Sequence, residues 1–215
     1  MREINELISK NKLIWDQCLE TKFLRSLIKA SISENEFKKY MIEDSIYLRE
    51  YARVFGMAIY KSQSLKEIKF FYSLLSFVEN DEGTTRLKYL AKYGLNDEDL
   101  TLYKPLEPNK KYTTFMLDIA KNHELVFILA AVLPCMLSYL YIFKKVLGKI
   151  DENKCKYLDF IIEYSNPEYE KICAFWLDFF MEKCEKLKEE ELQKIEEIFT
   201  KSSLFELEFF SMICE

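Results

Sequence analysis

The chain has 215 residues, the size of one large domain or two small ones, and its 49 % hydrophobic and 31 % charged residues exclude a disordered or collagen-like protein. Four glycines and four prolines are too few for a turn-rich β-sandwich or barrel, and no Gly-rich loop is present for a dinucleotide-binding unit. The net charge is −5 with acidic and basic residues interspersed, so no basic face points to nucleic acid.

Ile4, Leu7, Ile8, Trp15, Cys18 and Leu19 fall at helical spacing and predict an amphipathic first helix. Phe23, Leu24, Leu27 and Ile28 give a short second one. Ser33-Glu34-Asn35-Glu36 reads as a capping box opening a long helix, whose apolar stripe is Phe37, Tyr40, Met41, Tyr47, Leu48, Tyr51, Val54 and Phe55. Leu65 to Val78 is the next helix. Another runs from about Thr84 and stops near Gly94, a natural residue to follow a helix end. Residues 95–111 read as a short helical piece and a loop holding Pro105 and Pro108, with a helix beginning at Tyr112. The apolar segment that follows ends at Gly148. Asp151 to Tyr164 is helical, and Asn166-Pro167 reads as an N-cap with proline at the first helical position. That helix carries Ile172, Phe175, Trp176 and Phe179. Residues 182–200, rich in Glu and Lys, are a solvated helix face, and Ser203 to Cys214 is a terminal helix. With no repeat, linker or low-complexity segment, the expectation is one all-α domain spanning 1–215, a multi-helix bundle.

Leu125 to Phe143 carries no charge for nineteen residues, long enough to span a membrane. It also contains Pro134, Cys135, Ser138, Tyr139 and Tyr141. A lone span would leave the other helices without a partner for their apolar stripes, so the central helix of a soluble bundle is expected and no membrane. The six cysteines form no C-x-x-C pair, and Met1-Arg2-Glu3 leads into a charged stretch rather than a secretion signal. Reduced thiols in the cytoplasm are the expectation.

Four positions stand out chemically. Asp44 shares a helix face with Tyr40 and Tyr47, where a carboxylate is costly unless something pairs with it. A functional carboxylate and a salt bridge to a neighbouring helix are both open. Cys135 sits in the apolar helix with Tyr139 one turn on and Pro134 beside it, which frees the carbonyl of Ala130 and suggests a kink. Buried cysteines commonly only pack. Glu206 and Glu208 lie among Leu204, Phe205, Leu207, Phe209 and Phe210, and periodicity does not separate them; Ser203-x-x-Glu206 also matches a capping box. His123 is the only histidine, which excludes most metal constellations and a di-iron carboxylate bundle. Twelve residues separate it from Cys135, over three turns of a continuous helix and too far for a dyad. Tyr47 and Tyr51 share one expected helix, and Tyr112, Tyr139 and Tyr164 fall on others. Around one polar spot, they would make a slot for an aromatic ring.

Three segments together resemble the TenA (thiaminase II) family. Asp44-Ser45-Ile46-Tyr47-Leu48 followed by Tyr51-Ala52-Arg53-Val54 is similar to its D-x-x-Y-L…(Y/F)-A-(K/R)-V helix. Leu133-Pro134-Cys135 with Tyr139 is similar to its L-P-C-x-x-x-Y segment, and Ser202 to Phe210 to its S-S-x-(Y/F)-E-x-x-F-W end. Thr21-Lys22-Phe23 stands where the family often has His-Pro-Phe, and Phe210 replaces the usual tryptophan. The resemblance implies a haem-oxygenase-like fold and hydrolysis of an aminopyrimidine in thiamin salvage, with Cys135 as nucleophile and Glu206 as proton donor. It implies that Asp44 grips the pyrimidine edge and that Tyr47, Tyr139, Tyr112 and Tyr164 line the pocket. It also implies a homotetramer without metal or cofactor. The rival expectation is a non-catalytic or regulatory binder of a small aromatic ligand on the same fold. The fold's haem oxygenase and quinone-cofactor synthase members need histidines that this chain lacks.

Overall fold

The computed structural model describes residues 2–80 and 82–214; Met1 and Glu215, the outer limits of the expected domain, lie outside the described residues. Among them are ten α-helices and no strand: α1 (Arg2–Cys18), α2 (Lys22–Ile28), α3 (Glu34–Lys61), α4 (Leu65–Asn80), α5 (Glu82–Lys92), α6 (Glu107–Asn122), α7 (Leu125–Leu147), α8 (Leu158–Ser165), α9 (Pro167–Cys184) and α10 (Glu189–Ser211). Short 3₁₀ turns cover Asp99–Leu102 and Met212–Cys214. The all-α expectation therefore holds. The chain divides into two compact units, one of residues 1–32 with 129–215 and one of residues 33–128.

In the 33–128 unit, α3 is the spine against which α4, α5 and α6 pack. Its start follows from the sequence. Ser33 Oγ accepts the Glu36 N–H at 3.2 Å, while the Glu36 carboxylate accepts the Ser33 N–H at 2.9 Å. The end of α5 is closed by Gly94 at φ +68°, with the Leu95 N–H on the Leu90 carbonyl at 2.9 Å. The helix expected from Tyr112 instead begins five residues earlier, at Glu107. Pro108 stands in its first turn, where a missing N–H costs nothing. The Leu106 N–H at its cap is taken by the Glu43 carboxylate of α3, at 3.1 and 3.2 Å to the two oxygens, a partner sixty-three residues away.

In the other unit, α1 and α2 pack on α10. Trp15 is buried there and donates from Nε1 to Ser203 Oγ at 3.1 Å. Truncating a buried aromatic of this kind costs about 3–5 kcal/mol. Two boundaries differ from the sequence reading. Residues 151–157 are turns, with the Asn153 N–H held by the Asp151 side chain at 3.2 Å, so the helix starts only at Leu158. Residues 182–184 of the charged stretch end α9, and its part from Glu189 onward runs without a break into the terminal segment as one helix, α10. Asn166 caps α9 as expected, its Oδ1 accepting the N–H groups of Glu168 and Tyr169 at 2.9 Å each. α7 runs unbroken through Pro134. By length and composition α7 is apolar enough to cross a membrane, and its most apolar stretch is 78 % buried inside the protein, as the central-helix reading requires.

Candidate active site

The seven expected site residues fall into two groups, one in each unit: Cys135, Tyr139, Tyr164 and Glu206 in one, and Asp44, Tyr47 and Tyr112 in the other.

The first group is set by the pairing of α7 with α10. Ser202 Oγ donates to the Ala131 carbonyl at 2.8 Å, and the rings of Tyr139 and Phe210 lie 5.4 Å apart. Both helices advance by the same two turns between these contacts, so they run side by side in the same direction. Cys135 lies one turn beyond Ala131, and Glu206 one turn beyond Ser202. The two therefore occupy the same level, bracketed by the hydrogen bond and the ring contact. Cys135 is 8 % exposed and Glu206 2 %. Tyr139 packs against Tyr164 of α8 at 4.9 Å, edge to face, so this tyrosine pair roofs the next turn. The structure also separates the two glutamates that periodicity could not: Glu206 is buried and Glu208 exposed. The capping-box reading of Ser203 and Glu206 does not hold, because Ser203 lies in the middle of α10. Burial and then the charge of Glu206 push the Cys18 thiol far above its ordinary value, so a neutral thiol neighbours this carboxyl group.

The second group stands on α3 and α6. Tyr47 stacks on Tyr51 at 5.4 Å and meets Tyr112 of α6 at 5.1 Å. Its hydroxyl reaches the Met116 sulfur at 3.5 Å. Asp44 is 4 % exposed, and its Oδ2 is buried with no hydrogen-bond partner. Burial pushes this carboxyl up to about 7, while the positive charge of Arg86 pulls against the shift. Among the described residues no salt bridge to Asp44 is found. Among the described residues Arg86 pairs instead with Asp97 at 2.6 Å and donates to Ser45 Oγ at 3.1 Å.

Glu43 was not singled out by the sequence. It stands three residues after Tyr40 and four before Tyr47, at the edge of the apolar stripe, and is 4 % exposed because α6 covers that face of α3. Besides the Leu106 N–H it accepts Asn109 Nδ2 at 2.7 Å, and the same amide nitrogen is 2.8 Å from the Glu43 carbonyl. Burial raises its pKa and these hydrogen bonds lower it. The clamp holds α6 on α3 and so sets Tyr112 beside Tyr47. Among the described residues no three His, Cys, Asp or Glu side chains gather as a metal site.

Comparison with known proteins gives the arrangement a family. An aminopyrimidine aminohydrolase of Halalkalibacterium halodurans is 29 % identical over 96 % of this chain and 92 % of its own. A TenA homologue from P. horikoshii OT3 superposes with a TM-score of 0.87 at 24 % identity, over 98 % of this chain and 97 % of that one. A Shewanella denitrificans domain of unknown function, described as having a heme oxygenase-like fold, superposes with a TM-score of 0.74 at 17 % identity, over 98 % and 91 % of the two chains. The fold is thus haem-oxygenase-like, as the sequence motifs imply. The TENA/THI-4/PQQC family model matches residues 8–215, and the chain belongs to that family.

Proposed function

We propose that this protein is a hydrolase of aminopyrimidines. It would convert 4-amino-5-aminomethyl-2-methylpyrimidine to its hydroxymethyl form with release of ammonia, in thiamin salvage, and cleave thiamin by the same chemistry. The observations that support this most are the Ser202–Ala131 hydrogen bond and the Tyr139–Phe210 contact, one turn to either side of Cys135 and of the buried Glu206. The name of the Halalkalibacterium relative points the same way.

In this reading Asp44 binds the amino-pyrimidine edge. A carboxyl group that holds its proton until about pH 7 can share it with a ring nitrogen, which makes the ring electron-poor. The Cys135 thiolate then adds to the ring carbon beside the one bearing the CH₂–leaving group. The C–N bond breaks, Glu206 gives its proton to the departing amine, and an exocyclic double bond remains. Water adds to that CH₂ and returns a proton to Glu206. The cysteine is then expelled as a thiolate while the ring regains its aromaticity, and the proton shared at the ring nitrogen returns to Asp44. Tyrosine pairs, Tyr47 with Tyr112 in one unit and Tyr139 with Tyr164 in the other, offer flat aromatic faces of the kind a pyrimidine stacks on. No metal or cofactor enters the scheme. The chain acts as a single domain in the cytoplasm and assembles as a homotetramer.

Cys135→Ser tests the scheme. The variant is expected to fold and to bind the pyrimidine while losing most turnover, because an alcohol without a base is a far weaker nucleophile. Near-normal hydrolysis by this variant rules out covalent catalysis. Ligand-induced stabilisation of the wild type without any turnover would favour the non-catalytic binder.

A further inference from the structure

We propose that Ser202 is a positioning residue that fixes the spacing between Cys135 and Glu206. The inference rests on the reading of those two residues as nucleophile and proton donor.

Buried helical serines usually spend their hydroxyl on their own helix. Ser45, Ser165 and the half-buried Ser211 do so here, donating to the carbonyls of Met41, Ile161 and Leu207, each four residues back, at 2.6–2.7 Å. Ser202 does not. It is fully buried in the middle of α10 and donates across to α7, to the Ala131 carbonyl at 2.8 Å. In an α-helix that carbonyl is also the acceptor for the peptide N–H of Cys135. One hydroxyl therefore ties the turn that ends at the nucleophile to the turn that ends at the proton donor.

The tie is placed where α7 is weakest. Pro134 has no N–H, so the Ala130 carbonyl loses its helical partner and the helix is held by one bond fewer in the turn before Cys135. A helix lacking a rung can bend or slide by a fraction of an ångström, and reactions that need two groups on one substrate are sensitive to shifts of that size. The neighbouring Ser203 faces α1 and is occupied by Trp15, so it cannot replace Ser202. Further along, the Tyr139–Phe210 contact is apolar and fixes no register by itself.

The consequence is specific to the leaving group. An amine needs the Glu206 proton as it departs; the thiazolium of thiamin leaves without one. A lengthened Cys135–Glu206 spacing should therefore slow the first reaction more than the second.

The test measures kcat and KM of Ser202→Ala and Ser202→Thr on both substrates, with thermal unfolding of each variant. For Ser202→Ala the aminomethyl-pyrimidine kcat is expected to fall on the order of 10- to 100-fold at nearly constant KM. Thiamin cleavage should fall several-fold less. Ser202→Thr keeps the hydroxyl and should keep the ratio of the two kcat values near that of the wild type. It carries the test alone if the alanine variant does not fold. An unchanged aminomethyl-pyrimidine kcat in Ser202→Ala overturns the proposal, as does an equal loss on both substrates or a shifted ratio in Ser202→Thr. A wild type that turns over neither substrate defeats the functional reading itself, whatever Ser202 does.

Discussion

The face of α3 that meets α6 and the turn of the same helix that carries Asp44 bury neighbouring carboxyl groups in opposite ways. Glu43 and Asp44 are each 4 % exposed. Glu43 is supplied with a backbone N–H and an amide N–H, and so serves as a clamp between two helices. Asp44 keeps a buried oxygen with no donor, and the guanidinium whose charge acts on it is engaged by Ser45 and Asp97. A buried acceptor left unfilled costs stability that folding alone does not recover. Side by side on one helix, the filled carboxylate marks structure, and the unfilled one is where the proposed function places the pyrimidine edge.

Exchanging each for its amide sharpens that contrast. Asp44→Asn is expected to lower kcat/KM for the aminomethyl-pyrimidine by about two orders of magnitude, the worth of charge-assisted hydrogen bonds to a ligand. It should leave the folded protein at least as stable. Glu43→Gln should do the reverse, costing roughly 1.5–3 kcal/mol of stability with kcat within a few-fold. A dead Glu43→Gln beside an active Asp44→Asn breaks the comparison; kinetics and urea unfolding on the two proteins decide it.

A smaller effect appears in stability against pH. Asp44 titrates near 3.8 when unfolded and near 7 when folded. Between those values the folded chain holds the proton more tightly, so stability falls as pH rises from about 4 to about 7 and levels off above. The bound on this share is on the order of 4 kcal/mol. Asp44→Asn should remove it, leaving the slope of the same sign that Glu43 contributes. Urea unfolding at pH 5 and pH 7.5 measures the difference, and an unchanged slope in the variant contradicts the assignment of an unpaired Asp44.

Most helix positions were legible because their signals are local: the Ser33–Glu36 box, Gly94 after α5 and Asn166-Pro167 before α9. The errors came where the signal lies elsewhere in the chain. Near Glu107 the only local sign is Pro108, which reads as a loop proline as readily as a first-turn one, and the cap partner is Glu43 on another helix. Ser203-x-x-Glu206 matches a cap by spacing, yet the same spacing occurs within any helix, and here α10 passes straight through it. The polar candidates were legible as anomalies, polar groups on apolar faces; the family motifs singled out Glu206, and the structure buries Glu206 and exposes Glu208. Ser202 left no trace in periodicity, because a serine beside another serine looks like ordinary helix surface, and Glu43, at the edge of the apolar stripe, looked like a charge bordering it.

Ammonia release from the aminomethyl-pyrimidine by Glu206→Gln and Glu208→Gln, measured alongside the wild type, tests the account most directly. Glutamine keeps the size and hydrogen bonding of either side chain and removes only the transferable proton. Glu206→Gln should lose on the order of 10²–10⁴ in rate, the usual worth of a positioned general acid, while Glu208→Gln, exposed on the far side of the same helix turn, should match the wild type. An active Glu206→Gln beside a dead Glu208→Gln would contradict the pairing of Cys135 with Glu206.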